Sequence, residues 1–170
     1  MKAGLKLPQV ITEEELMKVL AVVKKPKIKY GIAVGFYECM RVSEIIKLTK
    51  EDIDRTLKLF YIKQAKGHKD RNIPISPEVF TKLRYLPCGS DKAKDFGIRA
   101  IQYAFSLATE KAIGTRLNIH ILRHSGITHY LTKKKWNTMQ VQRMAGHSKS
   151  SITEIYTHIN PEDLVERMWE

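Results

Sequence analysis

Apolar residues recur at helical spacing near the start of the chain, directly after a helix-start signal. Thr12 and Glu15 stand three residues apart, as in a capping box, and Ile11 and Leu16 occupy the positions of its hydrophobic staple. The pattern predicts a helix that begins at Thr12 and runs to about Lys24. The sequence therefore predicts that the fold begins with a helix.

Two more helices are predicted before the pattern changes. Ile28, Ile32 and Phe36 recur at helical spacing within residues 27–39, which predicts the second helix. The segment RVSEIIKL, residues 41–48, predicts the third. The apolar positions of all three have the spacing with which amphipathic helices pack on one another.

The period of the pattern then changes from about 3.6 to two. Alternation in LKLFYIK, residues 57–63, predicts a strand, and RNIPI, residues 71–75, predicts its antiparallel partner. Gly67 and Asp70 lie near the turn that would join them. The middle of the chain is therefore predicted to form a β-hairpin within a small three-stranded antiparallel sheet.

Helical patterns return after the hairpin and continue to the end of the chain. The final short helix, capped by Asn160 and Pro161, carries an apolar stripe that ends on Trp169. The sequence thus predicts a mainly helical α+β fold, and residues 1–170 are expected to form one domain. The other helices of this half are predicted at residues 76–86, 96–114 (ended by Gly114), 120–131, 138–145 (ended by Gly146) and 151–159.

Composition narrows the class of protein. Apolar residues make up 43% of the chain, yet no stretch approaches the roughly 20 apolar residues that span a bilayer. Cys39 and Cys88 cannot form a C-x-x-C metal site, and so few thiols are typical of a reducing compartment, so we expect a cytoplasmic protein. A formal net charge of +12 favours a polyanionic partner, of which nucleic acid is the first candidate, while membrane surfaces and acidic proteins compete for the same charge.

Candidate chemistry follows from what is missing and what remains. The sequence has no Walker A loop, no H-E-x-x-H, no EF-hand loop and no G-x-S-x-G elbow. What remains is a set of cationic and hydrogen-bonding residues next to structural breaks, together with one tyrosine. These candidate site residues are Arg41, Lys66, His120, Arg123, His147 and Tyr156.

This set fits displacement at a phosphodiester. The reaction builds negative charge on the non-bridging oxygens and needs a nucleophile and a proton for the departing sugar oxygen. Two arginines can bind the oxygens through bidentate forks, and histidines can donate hydrogen bonds or transfer a proton. Tyrosine, with a pKa of about 10, becomes a competent nucleophile when positive charge lies beside it. His120 and Arg123, three residues apart, share one helix face.

The same residues resemble, in order, the motifs of the tyrosine recombinases, the phage integrase family, and the resemblance covers nearly the whole chain as that family's catalytic domain. Single motifs of this kind are weak, but five in the right order at plausible distances are specific. They are Met40-Arg41-Val42-Ser43-Glu44, Lys66-Gly67-His68-Lys69-Asp70-Arg71, His120-Ile121-Leu122-Arg123-His124, Ala145-Gly146-His147 and Glu154-Ile155-Tyr156-Thr157-His158.

The resemblance implies a role for each candidate. Arg41 and Arg123 would bind the scissile phosphate, and Lys66 would protonate the leaving 5′ oxygen. His120 and His147 would assist proton transfer and hydrogen bonding, and Tyr156 would form a 3′-phosphotyrosyl link. No metal, ATP or other cofactor is implied, because that link retains the energy of the phosphodiester.

The resemblance also implies partners. They are double-stranded DNA in the nucleoid and three further protomers, since strand exchange in the family proceeds through a Holliday junction within a tetramer. The terminal helix, with its stripe of Leu164, Val165, Met168 and Trp169, would pack on its own domain or dock on a neighbouring protomer.

The chain also departs from the family pattern. Ile121 stands where the family often has Asp, and Cys39-Met40 replace the frequent Gly-Leu before the first arginine. The N-terminal DNA-binding domain that usually precedes this region is missing from the sequence. The alternatives are an excised fragment and a naturally truncated protein; we favour the fragment and expect weakened affinity for DNA.

Other interpretations stay open at this stage. Arg41 could pair simply with Glu38 or Glu44, and Lys133, Lys134 and Lys135 suit a solvated helix end as well as a phosphate contact. His124 and His129 are interpreted as structural, although His120, His124 and His129 at helical spacing also suggest a metal hydrolase. A DNA-relaxing enzyme of the type IB topoisomerase kind and an inactive DNA-binding module are the remaining alternatives.

Overall fold

The computed structural model describes residues 9–63, 70–86, 97–146 and 161–170. These residues form helices around a small sheet, in the predicted order. The helices are α1 (Glu13–Val22), α2 (Pro26–Tyr37), α3 (Val42–Lys47), α4 (Pro77–Phe80), α5 (Ile98–Ile113), α6 (Ile121–Thr132), α7 (Thr138–Ala145) and α8 (Pro161–Trp169), and the strands are β1 (Ile53–Asp54), β2 (Leu59–Ile62) and β3 (Arg71–Pro74). The predicted α+β class is confirmed.

The three strands form one antiparallel sheet in the order β1, β2, β3. Phe60 of β2 faces Ile73 of β3, and both are fully buried. The paired strands confirm the predicted antiparallel pair, whereas its connection at residues 64–69 lies outside the described residues. Because α7 and α8 both pack on β3, this edge of the sheet joins the C-terminal helices to the rest of the core.

Helix α2 lies at the centre of the helical layer. Its residues from Gly31 to Tyr37 are all buried, and in the described part of the chain it packs against α1, α3, α4, α5 and α6. A helix that is apolar on every side is stable only when protein surrounds it. The neighbouring helices surround residues 31–37 of α2 in this way. Its C-terminal end is therefore a fixed point from which the next residues, 38–41, extend.

The contact between α2 and α6 is unusually close. A Cβ atom added at Gly126 of α6 would lie 2.0 Å from the backbone oxygen of Phe36, so no larger residue fits there without moving a helix. At Gly35 of α2 an added Cβ would come within 3.1 Å of the Leu122 side chain. Glycine on both helices therefore brings their backbones together next to the segments that carry Arg41 and Arg123.

The local signals for helix ends are confirmed where the structure describes them. Thr12 and Glu15 form the capping box of α1 through hydrogen bonds in both directions. Gly114 ends α5 and Gly146 ends α7, both in the left-handed conformation. The predicted capping box at Ser151 and Glu154 lies outside the described residues.

One predicted helix is interrupted. Residues 76–86 form the short α4, capped by Ser76, and then a separate 3₁₀ turn, Leu83–Tyr85. The change of direction allows Leu83 to enter the core and Tyr85 to stack on Tyr30, with ring centroids 5.0 Å apart. Tertiary packing has therefore overridden a continuous helical pattern.

Among the described residues, no helix is long and apolar enough to cross a membrane.

Candidate active site

Arg41 stands at the start of α3, immediately after the turn that leaves α2. Its backbone N–H donates to Glu44 Oε2 at 2.8 Å, and its guanidinium Nη1 donates to Glu44 Oε1 at 3.1 Å. The side chain is nevertheless 45% exposed, so it is accessible to a ligand. The predicted alternative, a pair between Arg41 and Glu44, is thus present, but it leaves part of the guanidinium facing solvent.

Arg123 lies in the first turn of α6 and is half-buried. Its Nη1 donates to the carbonyl oxygen of Cys39 at 2.8 Å, which ties α6 to the turn before Arg41. Its Nη2 is buried and has no hydrogen-bond partner among the described residues. Because a buried N–H without an acceptor costs free energy, this donor is suited to a ligand that supplies one.

Three arginines converge at this point. Burial, followed by the positive charges of Arg41 and Arg71, lowers the pKa of Arg123 to about 10, while Glu44 acts in the opposite direction. Arg123 therefore stays charged at neutral pH. The three guanidinium groups carry three positive charges, of which the Glu44 carboxylate neutralises one. The remaining charge favours an anion with two oxygens that can each accept hydrogen bonds, such as a phosphodiester.

Arg71 is the buried member of this group. It begins β3, is 8% exposed, and binds Glu44 through a fork in which Nη1 and Nη2 donate to Oε1 and Oε2 at 2.8 and 2.9 Å. Its Nε donates to the carbonyl oxygen of Met144 in α7 at 3.4 Å. The sequence placed Arg71 within a motif without giving it a role, although it shares strand parity with the buried Ile73, which indicated an inward direction.

Cys39 connects the two phosphate-binding candidates. Its backbone has a φ of +52°, a conformation that glycine adopts more readily, and its side chain is fully buried. This turn directs the Cys39 carbonyl oxygen toward Arg123. Cys39, which stands where the family frequently has Gly, thus adopts a left-handed backbone conformation despite its side chain.

The histidines of α6 differ from one another. His120 stands at the N-cap position and is exposed, and its backbone N–H donates to Asn118 Oδ1 at 3.0 Å. His124 is exposed as well. His129 is buried, lies against Phe36, and its Nε2 is 3.9 Å from Glu13 Oε2; burial is the main cause that lowers its pKa. The structural interpretation thus suits His129 better than His124.

Two other predictions concern groups of residues. Within the described ranges, no three His, Cys, Asp or Glu side chains lie close enough together to share a metal ion. Lys133, Lys134 and Lys135 are all exposed at the end of α6, as expected for either of their proposed roles.

Lys66, His147 and Tyr156 lie outside the described residues. Their neighbours in sequence are described: Arg71 follows Lys66 by five positions, and Gly146 directly precedes His147. The structure thus brings together Arg41 and Arg123, places the exposed His120 in the same turn of α6 as Arg123, and adds Arg71 and Glu44.

Comparison with known proteins extends over almost the entire chain. The sequence model described as "Phage integrase family" matches residues 9–163. Tyrosine recombinase XerA of Thermococcus kodakarensis is 31% identical over 173 aligned residues, which cover 93% of this chain and 61% of that protein. Tyrosine recombinase XerC of Pseudomonas fluorescens is 32% identical over 139 residues, which cover 74% of this chain and 46% of that protein. The chain thus spans about three-fifths of the XerA relative.

Solved structures show the same similarity. The crystal structure of XerA recombinase superimposes with a TM-score of 0.71 at 26% identity and covers 94% of this chain and 64% of that chain. The integrase from mycobacterium phage Brujita gives a TM-score of 0.80 at 21% identity, with 98% and 59% covered. A lambda integrase tetramer bound to a Holliday junction gives 0.66 at 17% identity, with 84% and 48% covered.

Proposed function

The chain belongs to the phage integrase family, and on that premise we propose that it is a site-specific DNA recombinase or integrase that breaks and rejoins strands through a 3′-phosphotyrosine intermediate. The observation that carries the proposal is Arg123. Its buried Nη2 has no acceptor among the described residues, and it lies beside the accessible Arg41. A scissile phosphate would supply the missing acceptor and neutralise the excess positive charge.

The proposed reaction has two balanced steps. The hydroxyl oxygen of Tyr156 gives its proton to His120 or His147 and bonds to phosphorus while the bond to the 5′ oxygen breaks, and Lys66 donates a proton to that leaving oxygen. Arg41 and Arg123 stabilise the charge that builds on the non-bridging oxygens, and His120 and His147 assist proton transfer. A 5′ hydroxyl of another strand then gives its proton to the neutral Lys66 and attacks the phosphotyrosine, and the released Tyr156 takes its proton back from the histidine. The number of phosphoester bonds is unchanged, so the exchange consumes no ATP.

The proposed partner is double-stranded DNA. The net charge of +12 favours association with a polyanion, and the exposed lysines at the end of α6 add to that surface. We propose that protomers assemble on DNA as a tetramer, because a lambda integrase tetramer on a Holliday junction shares the fold. Action on cellular DNA would place the protein with the nucleoid in the cytoplasm.

The C-terminal helix is the proposed element of assembly. In this structure α8 packs on its own domain: Trp169 Nε1 donates to the carbonyl oxygen of Ile75 at 3.0 Å, and Leu164 and Met168 are buried. Much of the predicted apolar stripe is therefore covered within the chain. Transfer of the same stripe to a neighbouring protomer would preserve these contacts between molecules.

A covalent-trapping experiment tests the proposed chemistry. The full chain is incubated with a pool of nicked duplexes whose central bases are randomised, and denaturing gels are searched for a protein–DNA adduct. We expect an adduct from the wild type and none from Tyr156→Phe, because phenylalanine lacks the nucleophilic oxygen. Tyr103→Phe is the matched control, since Tyr103 is a 65% exposed tyrosine on α5, and it should form the adduct normally.

The same experiment separates the alternatives. An adduct that persists in Tyr156→Phe contradicts the nucleophile, and DNA cleavage that is lost with a chelator favours a metal-dependent hydrolase. A recombinase should exchange strands between two copies of the recovered sequence on one plasmid. A relaxing enzyme would instead remove supercoils without producing recombinants, and an inactive DNA-binding module would give no adduct at all.

A further inference from the structure

We infer that Arg71 is a positioning residue that holds Arg41 in place for the proposed reaction by linking three separate segments of the site. The inference rests on the proposed function and goes beyond the six residues assigned to it. Arg71 is 8% exposed, so it is too deeply buried for its own guanidinium to be the main contact with DNA. Any effect on catalysis must therefore pass through the groups that it binds.

The first link runs to Arg41 through Glu44. Arg71 binds both carboxylate oxygens of Glu44 at 2.8 and 2.9 Å, and those oxygens accept from the Arg41 side chain and backbone at 3.1 and 2.8 Å. Glu44 is thus shared between two arginines. The two hydrogen bonds from Arg71 fix the position of the Glu44 carboxylate, and through it the position of Arg41. They also neutralise part of the carboxylate charge, so that more of the positive charge of Arg41 is available to a phosphate.

The second link runs to the end of α7. Arg71 Nε donates to the Met144 carbonyl oxygen at 3.4 Å, and Gly146 lies directly against the arginine. A Cβ at Gly146 would come within 2.7 Å of Arg71 Cδ and Nε, and Gly146 has a φ of +67°. Only glycine fits both demands. Arg71 itself belongs to β3, so its side chain joins β3, α3 and α7 at one point.

Stability alone gives a weak reason for such a side chain. Burying an ion pair costs desolvation free energy that its attraction roughly offsets, and an apolar residue in the same place is often as stable. The neighbouring inward positions of β3 are indeed apolar, as Ile73 shows. What a guanidinium adds is a rigid fork with fixed donor directions, which an apolar residue cannot provide.

Single-turnover cleavage of the trapped duplex tests the inference, because it separates the rate constant from the amplitude. We expect Arg71→Gln to lower the rate constant about 10- to 100-fold at saturating DNA, since small displacements of a catalytic group have effects of this size. The amplitude and the half-saturating DNA concentration should stay near wild type. Arg84→Gln, at an exposed arginine of the 3₁₀ turn, is the control and should leave all three unchanged.

Two further variants keep the test decisive. Arg71→Lys retains the charge, so it should fold even where Arg71→Gln does not, but it loses the fork and should be about tenfold slower. In a Glu44→Gln background, Arg71→Gln should slow cleavage far less than it does alone, because both changes break the same link. An unchanged rate constant in Arg71→Lys, or a lower amplitude at the wild-type rate, overturns the inference.

Failure of the proposed function would look different. If the wild type forms no adduct, the recombinase proposal falls, and the role of Arg71 in that reaction falls with it. If the wild type cleaves and the Arg71 variants cleave equally fast, only the inference about Arg71 falls.

Discussion

Glu38 and Arg123 are two ionisable side chains near the turn at Cys39, one buried and one half-buried, and loss of water affects them differently. Each has one polar atom, Glu38 Oε2 and Arg123 Nη2, without a partner among the described residues. Loss of water raises the pKa of Glu38 to about 8 and lowers that of Arg123 to about 10. At neutral pH the loss of water therefore leaves the Glu38 carboxyl uncharged, whereas the Arg123 guanidinium keeps its charge.

The difference distinguishes a structural group from a functional one. Glu38 Oε1 already accepts from Ser76 N and Oγ at 2.8 and 2.7 Å, so its contacts lie inside the protein. Arg123 keeps its charge next to Arg41 and Arg71 and has a donor to spare. A neutral Glu38 does not diminish the positive charge that would attract a phosphate.

The largest expected effect comes from Arg123→Met, which keeps the length of the stem and removes the charge. Adduct formation should fall on the order of 10³-fold, the upper range for loss of one donor to a developing oxyanion. Thermal stability should change little, because removal of the buried Nη2 donor without a partner offsets loss of the hydrogen bond from Nη1 to the Cys39 carbonyl oxygen. Arg116→Met, at an exposed arginine paired with Glu110, is the control. A loss of activity below tenfold would contradict the functional assignment.

Glu38→Gln should have little effect on cleavage and a clear effect on the pH dependence of folding. The folded pKa of about 8 lies above the ordinary value of 4.5, so the protonated carboxyl stabilises the fold below about pH 4.5, and that stability is lost as the pH rises to 8. The wild type should therefore lose about 2–4 kcal/mol relative to Glu38→Gln over this range. Urea denaturation at several pH values measures the difference.

Two outcomes would contradict this account of Glu38. One is a constant difference in unfolding free energy between wild type and Glu38→Gln across the range. The other is a strong loss of cleavage in Glu38→Gln at pH 7, which would give Glu38 a part in the reaction.

The smallest expected effect concerns Cys39, which follows Glu38 in the sequence and whose carbonyl oxygen accepts from Arg123. Because its φ is +52°, Cys39→Gly should be more stable than Cys39→Ala by about 1 kcal/mol, the reverse of the usual order. Both variants leave the same cavity apart from one methyl group, so the difference isolates backbone strain. Urea denaturation of the pair measures it, and a more stable alanine variant would show that the turn is not strained.

Local structure could be predicted well from the sequence because its causes are local. The capping box of Thr12 and Glu15 and the glycine that ends α7 depend on neighbours within a few residues. The break between α4 and the turn at Leu83 depends instead on packing between Tyr85 and Tyr30, which are 55 positions apart in the sequence. No single stretch of sequence contains that information.

The site shows the same limit. The motif order predicted that Arg41 and Arg123 bind the same phosphate, and the structure places both next to Arg71. The acceptor that holds Arg123 is a backbone oxygen, that of Cys39, which no side-chain pattern reveals. Arg71 was within reach of prediction, because a charged residue in phase with Ile73 on a half-buried strand must find a partner inside.

The close approach of α2 and α6 at Gly126 has a consequence for protein design. Because two helix backbones are in contact there, the distance between the segments that carry Arg41 and Arg123 depends on helix geometry rather than on loop length. A designer could therefore graft the pair, with its connecting turn, onto another helical scaffold as one rigid module. Natural variation should accordingly alter the surrounding loops freely while position 126 admits glycine alone.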